Sequence, residues 1–133
     1  MTAPQRIAEA IGKEGCYFLS LLRLAETELG DHIDLLDAYG RAIGAGAMRE
    51  DCYILDGGAI LETYLPGAWA VTHESADYKP KPGELEILRY DLAGASHFVV
   101  GDGSGRVAFD PYGDSRTVRE GRLVSKRIAR RVA

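Results

Sequence analysis

Three residues of this chain have the types and order needed for nucleophilic chemistry: Cys16, His97 and Asp110. Cys16 follows Lys13-Glu14-Gly15 and opens an apolar run, Tyr-Phe-Leu-Ser-Leu-Leu. A cysteine at a helix N-terminus lies in the partial positive charge of the unpaired backbone N–H groups, which favours thiolate over thiol. A free cysteine is also often only a small buried hydrophobe, and position alone does not decide between the two.

His97 and Asp110 flank the hairpin Phe98-Val-Val-Gly-Asp-Gly-Ser-Gly-Arg-Val-Ala-Phe109. A turn centred on Gly103-Ser104 sets Val100 opposite Val107, Phe98 opposite Phe109, and His97 opposite Asp110. One face is then wholly apolar (Phe98, Val100, Val107, Phe109). The other carries His97 and Asp110 as a cross-strand pair with Cβ atoms roughly 5 Å apart. A slip by one residue would scramble the apolar face. A carboxylate beside a histidine holds one ring nitrogen as donor and leaves the other free to act as a base. With Cys16 this supplies nucleophile, base and orienter. The plainer alternative for His97 and Asp110 is a cross-strand ion pair worth roughly 0.2–1 kcal/mol with no chemical role.

The elements that must position these residues fall into two halves. Pro4 to Ile11 reads as a short helix ended or bent by Gly12 and Gly15. From Cys16, the residues Phe18, Leu21, Leu22, Ala25 and Leu29 recur with helical spacing, the stripe of a core-facing helix that Gly30 would stop. Asp31 is placed as the N-cap of a third helix carrying Ile33, Leu36, Tyr39 and Ile43, and Asp56 to Leu65 as a further helical piece. Strands are expected at Trp69–Thr72, Leu85–Tyr90, His97–Val100, Arg106–Phe109 and within Arg122–Ile128. Helices followed by strands indicate an α+β domain, N-terminal helices packed on a C-terminal antiparallel sheet, with residues 1–133 as one domain.

The segments Gly15-Cys16-Tyr-Phe-Leu-Ser, Ser96-His97-Phe-Val-Val and Phe109-Asp110-Pro-Tyr-Gly together resemble the papain-like cysteine peptidases. The likeness is closest to the bacteriocin-leader peptidase domains of export transporters and to small phage and prophage proteins. The order Cys, His, Asp agrees with theirs. The resemblance implies a papain-like fold and a cysteine peptidase acting by acyl transfer without a cofactor. It also implies a glutamine whose side-chain amide completes the oxyanion hole; the chain's single glutamine, Gln5, is the candidate, although it stands farther from the cysteine than in the family. Tyr17 replaces the small residue that usually follows the cysteine. Two rivals remain: a cell-wall amidase or endopeptidase on the same fold, and an inactive papain-like module that binds a partner.

Sixteen Lys and Arg against 20 Asp and Glu give a net charge of −4, which argues against nucleic acid as a partner and leaves a peptide or protein substrate as the expectation. The absence of a long apolar run argues against a membrane, and an N-terminus without a secretory pattern points to the cytoplasm. Two cysteines are too few for a disulfide scaffold, and no zinc-ligand spacing occurs. The spacing of the residues says nothing of oligomeric state. Seven Lys and Arg crowd Arg116–Arg131, read either as a solvated edge strand or tail or as a docking patch for an anionic partner; the residues past Ile128 are expected to be dispensable for folding. Cys52 reads as a packing residue, His32 and His73 as surface histidines, and Gly101-Asp-Gly-Ser-Gly105 as a turn rather than a phosphate loop.

Overall fold

The computed structural model describes residues 2–133. Helix α1 (Ala3–Glu14) begins with a reciprocal cap: Thr2 accepts the Gln5 N–H, and Gln5 Oε1 accepts the Thr2 N–H at 2.7 Å. This capping box carries α1 past Gly12 to Glu14. Helix α2 (Cys16–Leu29) has the expected bounds and ends at Gly30 in the left-handed region, φ 69°. Helix α3 (Leu35–Gly44) is capped by Asp34, not Asp31. The Asp31 carboxylate instead accepts the neighbouring His32 N–H, and Glu26 accepts that of Ile33, so α3 starts three residues later. Helix α4 (Gly57–Glu62) starts at the Asp56 cap and is shorter than the pattern suggested.

Five strands follow: β1 (Trp69–Ser75), β2 (Leu85–Leu92), β3 (Ala95–Gly101), β4 (Val107–Phe109) and β5 (Arg122–Arg131). They form one antiparallel sheet in the order β1-β5-β2-β3-β4. A short helix α5 (Arg116–Glu120), absent from the sequence reading, fills the connection between β4 and β5. The architecture is therefore α+β, with N-terminal helices and a C-terminal antiparallel sheet. Phe18 and Leu21 of α2, Ile60 and Leu61 of α4, and Ile87, Val100 and Ala129 of the sheet form the buried core. Truncating Phe18 or Leu21 to alanine would cost roughly 2–5 kcal/mol.

The basic C-terminal segment is neither tail nor edge. β5 lies between β1 and β2, Ile128 and Ala129 are fully buried, and Ala129 and Arg130 pair with Val71 and Ala70. Its cations are built into the sheet. Lys126 Nζ lies 3.0 Å from Glu86 Oε2 with both side chains almost wholly buried, and Arg130 pairs with Glu84 at 2.8 Å. The other Glu86 oxygen accepts the N–H groups of Gly103 and Gly105, so this carboxylate organises the β3–β4 loop. The expectation that the residues past Ile128 are dispensable is overturned by this pairing.

The β3–β4 register also departs from expectation. Val100 faces Phe109, Gly101 faces Val107, and a bulge lies between them. Phe98, Val100 and Phe109 still join the core, whereas Val107 is 39% exposed. A slip by two residues preserves side-chain parity, so the alternation of apolar residues could not tell this register from the expected one. Only the bulge changes parity, and it turns Val107 outward.

Candidate active site

The close meeting of α1 and α2 sets the position of Cys16. The Gly15 N–H donates to Ile11 O at 2.9 Å, and a Cβ on Gly15 would lie 2.2 Å from that oxygen, so no larger residue fits this junction unchanged. Leu19 donates to Gly15 O at 2.7 Å, the first bond of the α2 ladder. The N–H groups before it, that of Cys16 included, are the ones a helix leaves without an internal partner. Cys16 is a half-buried free thiol at this point.

His97 lies in β3 with a side chain only 5% exposed. Its Nε2 is 2.7 Å from Asp110 Oδ1 and 3.0 Å from Ser115 Oγ. Nδ1 is thus the ring nitrogen left free, and Cys16 lies near enough to His97 to act on its pKa. Burial pulls the His97 pKa down, but Cys16 and Asp110, as hydrogen-bond acceptors for the protonated ring and as negative charges beside it, more than offset this, and the net shift is upward. For Asp110, burial raises the carboxyl pKa, while hydrogen bonds from His97, Ser115 and the Tyr112 N–H lower it; the net shift is downward. Both shifts favour imidazolium beside carboxylate.

Asp110 reaches His97 differently from the expected cross-strand pair. It stands one residue beyond β4 and starts a tight turn, Asp110-Pro-Tyr-Gly113. Asp110 O accepts the Gly113 N–H, Oδ1 accepts the Tyr112 N–H, both at 2.9 Å, and Gly113 has φ 83°. Continued past Phe109, the observed register sets Tyr112 across from His97. The two rings stack, with centroids 4.8 Å apart and planes at 23°. Burial first, then the nearby Cys16 and Glu14, push the Tyr112 phenol up to about 12. Tyr112 and Ser115, the residue preceding α5, are the site residues that sequence reasoning missed. The signal for Tyr112 was the two-residue register ambiguity; for Ser115, that Ser-x-x-x pattern before a five-residue helix gave none.

Gln5 is not brought to this site. Its amide is spent on the α1 cap, exposed, and ten helical residues separate it from Gly15, about 15 Å at 1.5 Å per residue. Cys52 is buried, with φ 67°, and burial pushes its thiol up to about 11. His32 pairs with Glu26 on the surface, whereas exposed His73 lines a cleft of about 760 Å³ together with Tyr17, Cys52, Tyr53, Phe98 and Arg127. Tyr17 and Phe98, the chain neighbours of Cys16 and His97, stack at 4.7 Å and line this cleft. Among the described residues, no group of three or more His, Cys, Asp or Glu could hold a metal ion, and no helix is long and apolar enough to cross a membrane.

No curated protein and no solved structure matches the chain. One family profile, described as "Protein of unknown function, DUF261", matches residues 2–131, nearly the whole sequence, and the chain belongs to that family.

Proposed function

We propose that this chain is a papain-like cysteine hydrolase, a peptidase working by acyl transfer, with Cys16 as nucleophile, His97 as acid and base, and Asp110 as orienter. The observation that carries this reading is a buried imidazole held by Asp110 through Nε2, with the half-buried free thiol of Cys16 close enough to act on its pKa. The Cys16 thiol gives its proton to His97 as the sulfur attacks the substrate carbonyl carbon. An S–C bond forms, the carbonyl electrons move to oxygen, and they return to re-form the C=O as the amine leaves. His97 then gives its proton to the leaving amine as the C–N bond breaks. In the second half, His97 takes a proton from water, hydroxide displaces the thiolate from the thioester, and the acid product leaves. The oxyanion is stabilised by the Cys16 N–H and by the Tyr112 hydroxyl, which takes the part a glutamine plays in related enzymes. Tyr112 stacks on His97 and stands near Cys16, so its hydroxyl lies within reach of an oxygen bonded to the carbon that the sulfur attacks. A cytoplasmic setting, where thiols stay reduced, suits this chemistry.

The test compares wild type with Cys16→Ala on a proteome-derived peptide mixture and, in parallel, on peptidoglycan fragments, with new termini mapped by mass spectrometry. Cleavage of peptides by wild type alone supports the peptidase; cleavage of the wall fragments alone moves the assignment to an amidase. Cleavage of neither, together with an unreactive Cys16, leaves the partner-binding module.

A further inference from the structure

The cleft lined by Tyr17 and Phe98, the chain neighbours of Cys16 and His97, contains a cation that the fold does not neutralise. Arg127 is half-buried on β5, directly opposite His73 of β1 and Ile87 of β2. Its neighbours in sequence and on the strand are paired: Lys126 with Glu86, Arg130 with Glu84. Arg127 donates only to neutral oxygens, Ser125 Oγ at 3.1 Å and the Lys126 carbonyl at 3.3 Å, both through Nη1. No carboxylate among the described residues lies within ion-pair distance of it. Its guanidinium rests over the Phe98 ring, 5.4 Å from the centroid. Phe98, which follows His97, in turn stacks on Tyr17, so the guanidinium is one aromatic layer away from the residue that follows Cys16.

Leaving a guanidinium desolvated and without an acid is costly, and burial does lower its pKa. The bond to Ser125 and the ring beneath fix its orientation, while Nη2 and Nε make no bond among the described residues. A planar, preoriented donor pair is what bidentate carboxylate recognition needs. The rim of the same cleft carries Glu14, Asp51 and Asp56. Asp51 is bonded by Arg49 and the Tyr53 N–H, and Asp56 caps α4. With three carboxylates at its rim, the cleft has no general attraction for anions, so selection falls to the short-range contact with Arg127.

We propose that Arg127 is a specificity residue, and that the cleft binds a peptide through a carboxylate seated on its guanidinium, next to the bond Cys16 attacks. This rests on Cys16 being the nucleophile. The carboxylate can belong to an acidic side chain or to the peptide's C-terminus.

Peptidyl chloromethyl ketones matched except for Glu, Gln or Lys at the first or second residue before the warhead separate the side-chain source. The C-terminal source is read from protection of Cys16 against iodoacetamide by acetyl-dialanine as free acid or as amide. In wild type, one carboxylate arm is expected to be favoured at least tenfold over its neutral counterpart. Arg127→Gln is expected to abolish that preference and Arg127→Lys to keep part of it, with the iodoacetamide rate at Cys16 unchanged in both. A structural role alone would shift melting temperature without touching the acid-to-amide ratio. Equal rates for acid and neutral forms, or a preference that survives Arg127→Gln, overturn the proposal while leaving the hydrolase reading intact. Failure of Cys16 to react with iodoacetamide overturns both.

Discussion

Replacing Asp110 separates its two tasks, and the structure gives the size of each. Asp110 Oδ1 accepts from His97 Nε2 at 2.7 Å and from the Tyr112 N–H at 2.9 Å, with only 6% of its side chain exposed. Asp110→Ala leaves a buried imidazole without its counter-ion and the turn without its first bond. Breaking a buried pair in this way costs about 3–5 kcal/mol. Asp110→Asn keeps an acceptor oxygen for both donors and loses only the charge, so its cost is that of one hydrogen bond weakened from charged to neutral, about 1 kcal/mol. The pH dependence carries a sign. The His97 pKa is raised by the fold, so its contribution is full below the unfolded value and is lost as pH rises through the folded one. The Asp110 pKa is lowered, so its contribution is present above the unfolded value and is lost as pH falls through the folded one. The gap in stability between wild type and Asp110→Ala is therefore widest between the ordinary values of the two groups, roughly pH 4 to 6.5. Urea unfolding across pH 3–9 reads this gap, and iodoacetamide labelling of Cys16 at pH 6 reads the reactivity. Labelling should fall by roughly 10–100-fold in the alanine variant and much less in the asparagine variant, since one to two powers of ten correspond to about 1.4–2.7 kcal/mol of lost orientation. Alanine and asparagine variants behaving alike, or a stability gap that does not vary with pH, would refute this reasoning.

Three further outcomes follow from other parts of the molecule. Tyr112→Phe keeps the ring on His97 but removes the hydroxyl, so turnover should drop by roughly 10²–10³ with melting temperature and KM little changed; an unaltered kcat would remove Tyr112 from the oxyanion site. Lys126→Met strands the Glu86 carboxylate and should cost about 3–5 kcal/mol in urea unfolding. Adding Glu86→Leu should recover only part of this, because the Gly103 and Gly105 N–H groups then lose their acceptor; full recovery would mean the carboxylate does not hold that loop. Truncation after Ile128 deletes residues paired with both β1 and β2 and should unfold the domain at 37 °C; a melting temperature within a few degrees of wild type would contradict the central place of β5.

Much of the site was readable from local signals. A glycine before a cysteine before an apolar helical stripe sets the bounds of α2 and the place of Cys16, because both signals act within a few residues. The pairing of His97 with Asp110 was also legible, but for an inexact reason. The apolar alternation of Phe98, Val100 and Phe109 is blind to a two-residue slip, and the contact is made by an Asp-Pro-Tyr-Gly turn rather than a ladder. Tyr112 and Ser115 come to His97 through that turn and its continuation, which no periodicity encodes. β5 was misread because charge density marks exposure only on average. Two of its cations, Lys126 and Arg130, are neutralised by Glu86 of β2 and Glu84 beside it, some 40 residues earlier, and pairing at that separation leaves no mark in the local pattern. Gln5 was assigned by analogy of residue type, while the Thr2-Pro-Gln5 spacing already contained the capping box that occupies it.

The central claim is that Cys16, and not Cys52, is an activated nucleophile paired with His97. Competitive labelling of the folded protein with iodoacetamide between pH 5 and 9, both cysteines followed by peptide mass spectrometry, tests it directly. Burial pushes the Cys52 thiol up to about 11, leaving about one molecule in 10⁵ as thiolate at pH 6. The account predicts that at pH 6 Cys16 reacts at least 100-fold faster than Cys52, and that His97→Ala removes most of this advantage. Equal rates at the two cysteines, or a Cys16 rate indifferent to His97→Ala, would contradict it.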